Sequence, residues 1–341
     1  MLNVAIIGTG KIAKQHLAAF QTFPKRCRVV ALVNRTRAKA EALKVPDAVI
    51  YQDYHELLKA GGIDLVDICL PPKLHEAVAI ACLQAGCDVL CEKPLALTVA
   101  ACDAMIEAAQ TANKILAVVS QKRYEDDIWR LHDVLATGLI GRPLHIQVDA
   151  LSWRGHSYYD VPWRGTWASE GGGATLSQAI HHIDMLNWLM GKPQTVTAVA
   201  TNANHDNAEV EDLSVAILQY ASGAIATITS STISHGQKRQ IIIQGQHAMI
   251  AAPWQVIAEQ SAPDGFPQPG GNSALVARLN ASYQAVKPLT YHGFTAQIDD
   301  LLTAIETNGT PLITALDGRL AVAVVQKIYE SARAKQTLDF E

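Results

Sequence analysis

A doubly wound parallel α/β domain followed by an α+β domain is the architecture this sequence predicts, on three observations. An apolar strand, Leu2–Ile7, runs directly into Gly8-Thr9-Gly10-Lys11-Ile12-Ala13 and then into a helix. From there to about residue 120, short β-branched runs alternate with amphipathic helical stretches. Past Arg123 the segments become longer and take on period-two character, with short turns such as Ala221-Ser222-Gly223 between them. With 341 residues the chain predicts two domains, 1–120 and 121–341, each long enough to bury a core.

The glycine turn is a G-x-G-x-x-A dinucleotide fingerprint in the strand–turn–helix context that gives it meaning. Gly8 permits the tight turn, Gly10 leaves room for a pyrophosphate, and Ala13 lets the new helix pack closely on its strand. The helix start offers free N–H groups and partial positive charge to phosphates. Further strands are expected at Val29–Val33, Leu65–Cys69, Asp88–Cys91 and Ile115–Val119, with helices near Ile12–Gln21, Arg37–Leu43, Tyr54–Ala60, Leu74–Ala85 and Val99–Ala112. Strands that are apolar almost throughout belong to a parallel sheet covered on both faces, here a Rossmann domain.

In the second domain, Leu144–Leu151, Thr195–Thr201, Leu213–Tyr220, Ala224–Ser230 and Arg239–Gln244 predict an open, largely antiparallel sheet with helices on one face. The Pro-, Gly- and Ser-rich stretch Ala252–Pro288 predicts a surface loop. Helices over His292–Asn308 and Asp317–Lys335 close the chain and are expected to pack back on the first domain.

The 28 basic and 32 acidic residues leave a net charge of -4, which provides no footprint for nucleic acid or an anionic membrane and points to small-molecule partners. No run approaches the apolar length of a membrane-spanning helix, and the first strand follows the opening Met with no basic leader, so a cytoplasmic protein is expected. All six cysteines fall between Cys27 and Cys102 without C-x-x-C spacing and read as reduced core thiols, with no metal site expected.

Four groups of residues can carry chemistry. After the second strand, Asn34-Arg35-Thr36 stands where NAD-specific folds place an acid on the ribose 2′-hydroxyl; the missing carboxylate and the adjacent Arg35 favour NADP over NAD. After Asp88–Cys91 comes Glu92-Lys93-Pro94, which puts a lysine at the carboxyl edge of a parallel strand, where ligands bind open α/β sheets. A cis bond at Pro94 would aim that lysine inward. In Ser177-Gln178-Ala179-Ile180-His181-His182-Ile183-Asp184, after the glycine run Gly171–Gly173, helical spacing puts Ser177, His181 and Asp184 on one face and His182 about a quarter turn away. That face lines a cavity or a buried polar network; a metal held by His181, His182 and Asp184 is a third reading. Trp153-Arg154, Tyr158-Tyr159 and Trp163–Trp167 supply aromatic faces and guanidinium forks, suited equally to a sugar site or to stapling a long loop.

Taken together, G-x-G-x-x-A, Glu-Lys-Pro and Gly-Gly-Gly followed by Ile-His-His-Ile-Asp resemble the Gfo/Idh/MocA family of NAD(P)-dependent oxidoreductases across almost the whole chain. The resemblance implies hydride exchange between a nicotinamide cofactor and a secondary alcohol or ketone of a sugar, sugar derivative or cyclic polyol. It implies Lys93 and His181 as the catalytic pair and a homodimer or homotetramer built through the second-domain sheet. On the same basis Gly8, Thr9, Gly10, Lys11, Ile12, Asn34, Arg35, Pro71, His75, Glu92, Lys93 and Gln121 would line the cofactor, joined by Trp163 and Arg164. Lys93, Arg123, Tyr158, Ser177, His181 and Asp184 would meet substrate. One departure stands out: many members carry Asp four residues before the catalytic His, and this chain has Ser177. A hydroxyl can still hydrogen-bond but brings no charge to raise the imidazole's basicity; Asp184 is the candidate to take over part of that role. Two other classes compete with the oxidoreductase: a non-catalytic dinucleotide-binding sensor, and a lyase or hydrolase using internal redox or a metal.

Overall fold

The computed structural model of the protein describes residues 1–340. In chain order the first elements are β1 (Leu2–Ile7), α1 (Ala13–Gln21), β2 (Cys27–Val33), α2 (Arg37–Glu41), β3 (Val49–Tyr51), α3 (Tyr54–Ala60), β4 (Leu65–Ile68), α4 (His75–Gln84), β5 (Asp88–Cys91), α5 (Val99–Ala112) and β6 (Leu116–Val118). There follow α6 (Asp126–Ala136), β7 (Pro143–Trp153), α7 (Ile180–Met190), β8 (Thr195–Thr201), β9 (Leu213–Gln219), β10 (Ile225–Ser231), β11 (Ile233–Gly245), β12 (Met249–Ala252), β13 (Gln255–Ile257) and α8 (Ser273–Ala285). The chain closes with α9 (Gly293–Thr307), α10 (Ala315–Ala334) and β14 (Leu338–Asp339). Among the described residues no helix is long and apolar enough to cross a membrane.

Two compact units share the chain, and each takes discontinuous segments. The first comprises residues 1–121, 167–171 and 291–323; the second comprises 122–166, 172–290 and 324–341.

The sheet of the first unit is all parallel, in the order β3-β2-β1-β4-β5-β6. This order reverses between β1 and β4, the switch point at which open α/β sheets bind ligands. β4 and β5 are buried at every position, as a strand covered on both faces requires. Under one face Leu17 and Phe20 of α1 pack with Ile298, Leu301 and Leu302 of α9, so a segment from late in the chain completes the first core. Each such fully buried side chain contributes roughly 1.5–3 kcal/mol. The three-residue β3 escaped the sequence reading because so short a run carries no usable periodicity.

The second unit is built on an eight-stranded sheet, β13-β12-β11-β7-β10-β9-β8-β14, in which only the β7–β10 pair is parallel. Alternation is strict in β9: Ser214, Ala216 and Leu218 are buried, while Val215 and Ile217 face outward. The expected loop over Ala252–Pro288 is corrected by the structure. It contains β13 and the thirteen-residue α8, whose start is capped by Asn272 accepting from the Leu275 N–H at 3.0 Å. Apart from Pro253 and Pro288, the glycines and prolines that suggested an unbroken loop fall within 263–271.

Candidate active site

The glycine turn has the form a dinucleotide needs. Gly8 sits at φ +95°, and a Cβ there would lie 2.4 Å from the carbonyl oxygen of Cys69, so neither conformation nor space admits a side chain. A Cβ on Gly10 would meet nothing within 4 Å, which leaves open space at the mouth of α1. Ala13 is fully buried and no side chain caps the start of α1. Beside the turn, the Asn34 amide donates to Thr9 Oγ1 at 2.7 Å, and its oxygen accepts from the Thr36 N–H at 2.9 Å. Arg35 is exposed next to them, and its carbonyl accepts from the Gln52 amide. Just beyond β6, Gln121 has its Oε1 buried without a hydrogen-bond partner. An uncapped helix start, an unfilled cradle at Gly10 and an orphaned buried acceptor on the same unit fit a nicotinamide dinucleotide.

Lys93 is half-buried at the end of β5, and the Lys93–Pro94 bond is cis. Its neighbour Glu92 is buried: Oε2 accepts from the Lys93 backbone N–H at 3.0 Å, and Oε1 lies 3.0 Å from Nε2 of His16. His75, expected at the cofactor, is fully buried, with its ring nitrogens 2.9 Å from the Pro94 carbonyl and 2.8 Å from the Leu70 carbonyl. Burial pushes its pKa down. His75 therefore braces the turn that carries Lys93, with both ring nitrogens engaged by backbone carbonyls. Pro71 precedes a short 3₁₀ turn over Pro72–Leu74 that leads into α4.

In the second unit the helix expected to carry Ser177 and His181 begins differently. Thr175–Ala179 forms a π turn before the α-helical Ile180–Met190, a distortion found often at functional sites. Its start is held by Glu211, whose carboxylate accepts from the N–H of Gly173 at 2.9 Å, the N–H of Thr175 at 2.8 Å and the hydroxyl of Tyr329 at 2.9 Å. The glycine run follows from this packing. A Cβ on Gly172 would lie 2.2 Å from the Tyr329 hydroxyl, and one on Gly173 would lie 1.7 Å from the Glu211 carbonyl oxygen. Ser177 donates its hydroxyl back to the Gly173 carbonyl at 2.8 Å. This is the i−4 back-bond open to a serine at helical spacing, and the Ser177 N–H donates to the same carbonyl at 2.9 Å.

His181 is half-buried, whereas His182 is buried with Nδ1 unpartnered. Burial, helped by the nearby Arg239 and Lys122 charges, lowers the His182 pKa to about 4, so that ring is neutral. Asp184 and Arg123, both expected at the substrate, pair with each other: Nε donates to Oδ2 at 2.8 Å and Nη2 to Oδ1 at 2.6 Å, with both side chains buried. The Arg123 guanidinium also lies 5.5 Å from the Trp188 ring centroid. A bidentate buried pair of this kind holds α7 to the segment before α6. With Asp184 so engaged, the residues of a His181–His182–Asp184 metal site are not brought together as ligands.

The aromatic cluster folds on itself beside the π turn. The Arg164 guanidinium lies 4.0 Å from the Tyr158 ring centroid and 4.6 Å from that of Trp163, while Arg154 lies 5.4 Å from Tyr158. Arg154 donates to Gln178 Oε1 at 2.9 Å, and Gln178 Nε2 donates to the Tyr158 hydroxyl at 3.2 Å, so the cluster is tied to the residue next to Ser177. Sequence reasoning missed His16, Asp67, Glu211 and Tyr329. An acid inside an apolar strand and a histidine on the apolar face of α1 were the available signals for the first two.

A switch-point glycine turn with a lysine at the same carboxyl edge defines the class of dinucleotide-binding α/β proteins. Residues 2–120 match the model of the oxidoreductase family with an NAD-binding Rossmann fold, and residues 128–251 match the GFO/IDH/MocA C-terminal domain. The chain belongs to the Gfo/Idh/MocA oxidoreductase family. It is 28% identical to a myo-inositol 2-dehydrogenase of Thermotoga maritima, with 74% of this chain and 75% of that protein covered. It is 30% identical to an oxidoreductase of Schizosaccharomyces pombe, with 72% and 68% covered. Among solved structures, the WlbA dehydrogenase of Bordetella pertussis, in complex with NADH and UDP-GlcNAcA, superposes with a TM-score of 0.85 at 24% identity, covering 100% of this chain and 99% of that one. A levoglucosan dehydrogenase in complex with NADH and levoglucosan gives 0.83 at 23% identity, with 99% of each chain covered. At these identities the superpositions speak for the fold.

Proposed function

We propose that the protein oxidises a secondary alcohol of a sugar, sugar derivative or cyclic polyol, reversibly, with a nicotinamide dinucleotide as partner. The observation that carries this reading is a half-buried lysine at the carboxyl edge of the parallel sheet that also bears the open Gly10 cradle. Family membership and the inositol dehydrogenase relatives support the substrate class. Gly8, Thr9, Gly10, Lys11 and Ile12 hold the pyrophosphate, Asn34 and Arg35 the adenosine ribose, and Pro71, Glu92 and Gln121 the nicotinamide end, with Trp163 and Arg164 contributing. When bound, the nicotinamide supplies the acceptor for the hydrogen on the carbinol carbon.

His181 accepts the hydroxyl proton, and Lys93 donates a hydrogen bond to the same oxygen and steadies its charge. Tyr158 and Ser177 shape the polyol site. Arg35, in place of an acid, favours NADP, because a guanidinium binds a 2′-phosphate in bidentate fashion. Six free, buried cysteines suit a reducing compartment such as the cytoplasm. The outward face of the eight-stranded sheet, with Val199, Val215, Ile217 and Ile225 exposed, joins subunits into a dimer or tetramer.

The test is Lys93→Met assayed against a panel of inositols and hexosides. Turnover falls by about a hundredfold or more, while cofactor affinity measured by calorimetry stays near the wild-type value. Parallel loss of affinity and turnover would make the lysine structural.

A further inference from the structure

Directly behind Lys93 lies a buried charged chain of which the reading above uses only Glu92. His16 of α1 is fully buried, as is Asp67 of β4. Nδ1 of His16 lies 3.0 and 2.9 Å from the two Asp67 oxygens, and Nε2 lies 3.0 Å from Glu92 Oε1. Ionised carboxylates only accept hydrogen bonds, so an imidazole serving one at each nitrogen donates from both and carries a positive charge. Burial works against that charge, but Asp67 outweighs it and holds the His16 pKa well above its usual value. The Cys69 thiol donates to Asp67 Oδ2 at 3.6 Å and is kept protonated by burial; the Phe294 ring of α9 closes the remaining side, 4.6 Å between centroids. His16, Asp67 and Cys69 lie close enough to be weighed as a metal site. With both ring nitrogens committed to carboxylates, the imidazole has no lone pair to offer a metal and holds a proton instead.

We propose that His16 is a positioning residue for Lys93. As an imidazolium between Asp67 and Glu92, it fixes the Glu92 carboxylate, which holds the Lys93 backbone N–H, while His75 fixes the Pro94 carbonyl from the other side. Two buried histidines thus clamp the Glu92-Lys93-Pro94 turn, one through charge and one through the backbone. The chain Asp67–His16–Glu92–Lys93 alternates in sign and so stays balanced in a dry site. This inference rests on the oxidoreductase reading, since it assigns His16 to the lysine that reading uses.

The test runs wild type, Lys93→Met, His16→Gln and His16→Gln/Asp67→Asn side by side on the full chain. In His16→Gln, kcat falls about tenfold or more with the cofactor KM little changed, and the alkaline limb of the kcat–pH profile moves upward. The sign follows from removing a positive charge, which leaves the carboxylates to hold the Lys93 ammonium more strongly. The double variant removes one charge of each sign and recovers most of the loss, which a purely packing role would not produce. Soluble His16→Gln with wild-type kcat and pH profile overturns the inference, as does a double variant no better than the single. Should His16→Gln fail to fold, Glu92→Gln is read with cofactor affinity measured alongside: reduced kcat at unchanged affinity with the alkaline limb moved downward, as removal of a negative charge requires, supports the clamp, and an unchanged enzyme or a loss confined to affinity overturns it. Nitrogen-15 NMR of wild-type histidines gives a readout independent of turnover, with both His16 ring nitrogens protonated at mildly alkaline pH and a neutral ring contradicting the proposal. A wild type inert on every polyol, yet with that doubly protonated ring, would sink the substrate reading alone.

Discussion

At the scale of single residues, the chain departs from the simplest dehydrogenase pattern at two positions, Arg35 and Ser177. Asn34 is held to Thr9 and Thr36 by both ends of its amide, so the position of the usual ribose acid is filled by a neutral side chain already engaged with the protein. The NADP preference proposed above assigns a 2′-phosphate to Arg35. Arg35→Ala is expected to weaken NADP by about tenfold, the worth of a charge-assisted hydrogen bond, and to leave NAD nearly untouched; equal losses in a fluorescence titration with the two cofactors would defeat the phosphate reading. Ser177 spends its hydroxyl on a backbone carbonyl at 2.8 Å, so its contribution near His181 is size and polarity in place of charge. The two adjacent histidines are separated by burial: His181 is half-exposed, and His182, with a pKa near 4, is a neutral ring within the second unit.

At the scale of elements, the structure shows why particular stretches were legible and others were not. The strand–turn–helix at Gly8–Ala13 could be read because its chemistry is local: positive φ, close approach and a free helix start all follow from residue type. The π turn at Thr175–Ala179 could not be, because it is imposed by Glu211 and Tyr329, which are distant in sequence. The same distance concealed the pairing of Arg123 with Asp184, two residues 61 apart whose destinations depend on how α7 packs. That pairing makes a prediction about stability. Arg123→Met leaves the Asp184 carboxylate buried without its cation and should cost about 3–5 kcal/mol, read from urea denaturation. Arg123→Met/Asp184→Leu removes both charges and should be markedly more stable than the single variant; a double variant as unstable as the single would show that the guanidinium's packing on Trp188 matters more than the pair.

At the scale of the molecule, two discontinuous units divide the work suggested by sequence. The first, with its 3-2-1-4-5-6 parallel sheet, carries the glycine turn, Lys93 and the buried histidine clamp. The second carries the π turn, His181, the Tyr158 cluster and an eight-stranded sheet whose outer face exposes Val215, Ile217, Ile225 and Val199, the last 71% exposed. The alternation in β9 that buries Ala216 and Leu218 also turns Val215 and Ile217 outward, so one sequence pattern builds both the core and the outward apolar face. Replacing Val215 and Ile217 together by Glu should reduce the sedimentation coefficient to that of a monomer without unfolding the sheet; an oligomer that survives both charges would move the subunit interface elsewhere.

The central claim, that hydrogen passes from a carbinol carbon to a nicotinamide on this protein, is tested most directly by isotope transfer. Inositols and hexosides carrying deuterium on the oxidised carbon are incubated with the enzyme and oxidised cofactor, and the reduced cofactor is isolated and its deuterium content measured by mass spectrometry. Direct transfer leaves the label on the reduced nicotinamide in proportion to turnover. Product formation with the deuterium released to solvent, or with no reduced nicotinamide formed, would contradict the account.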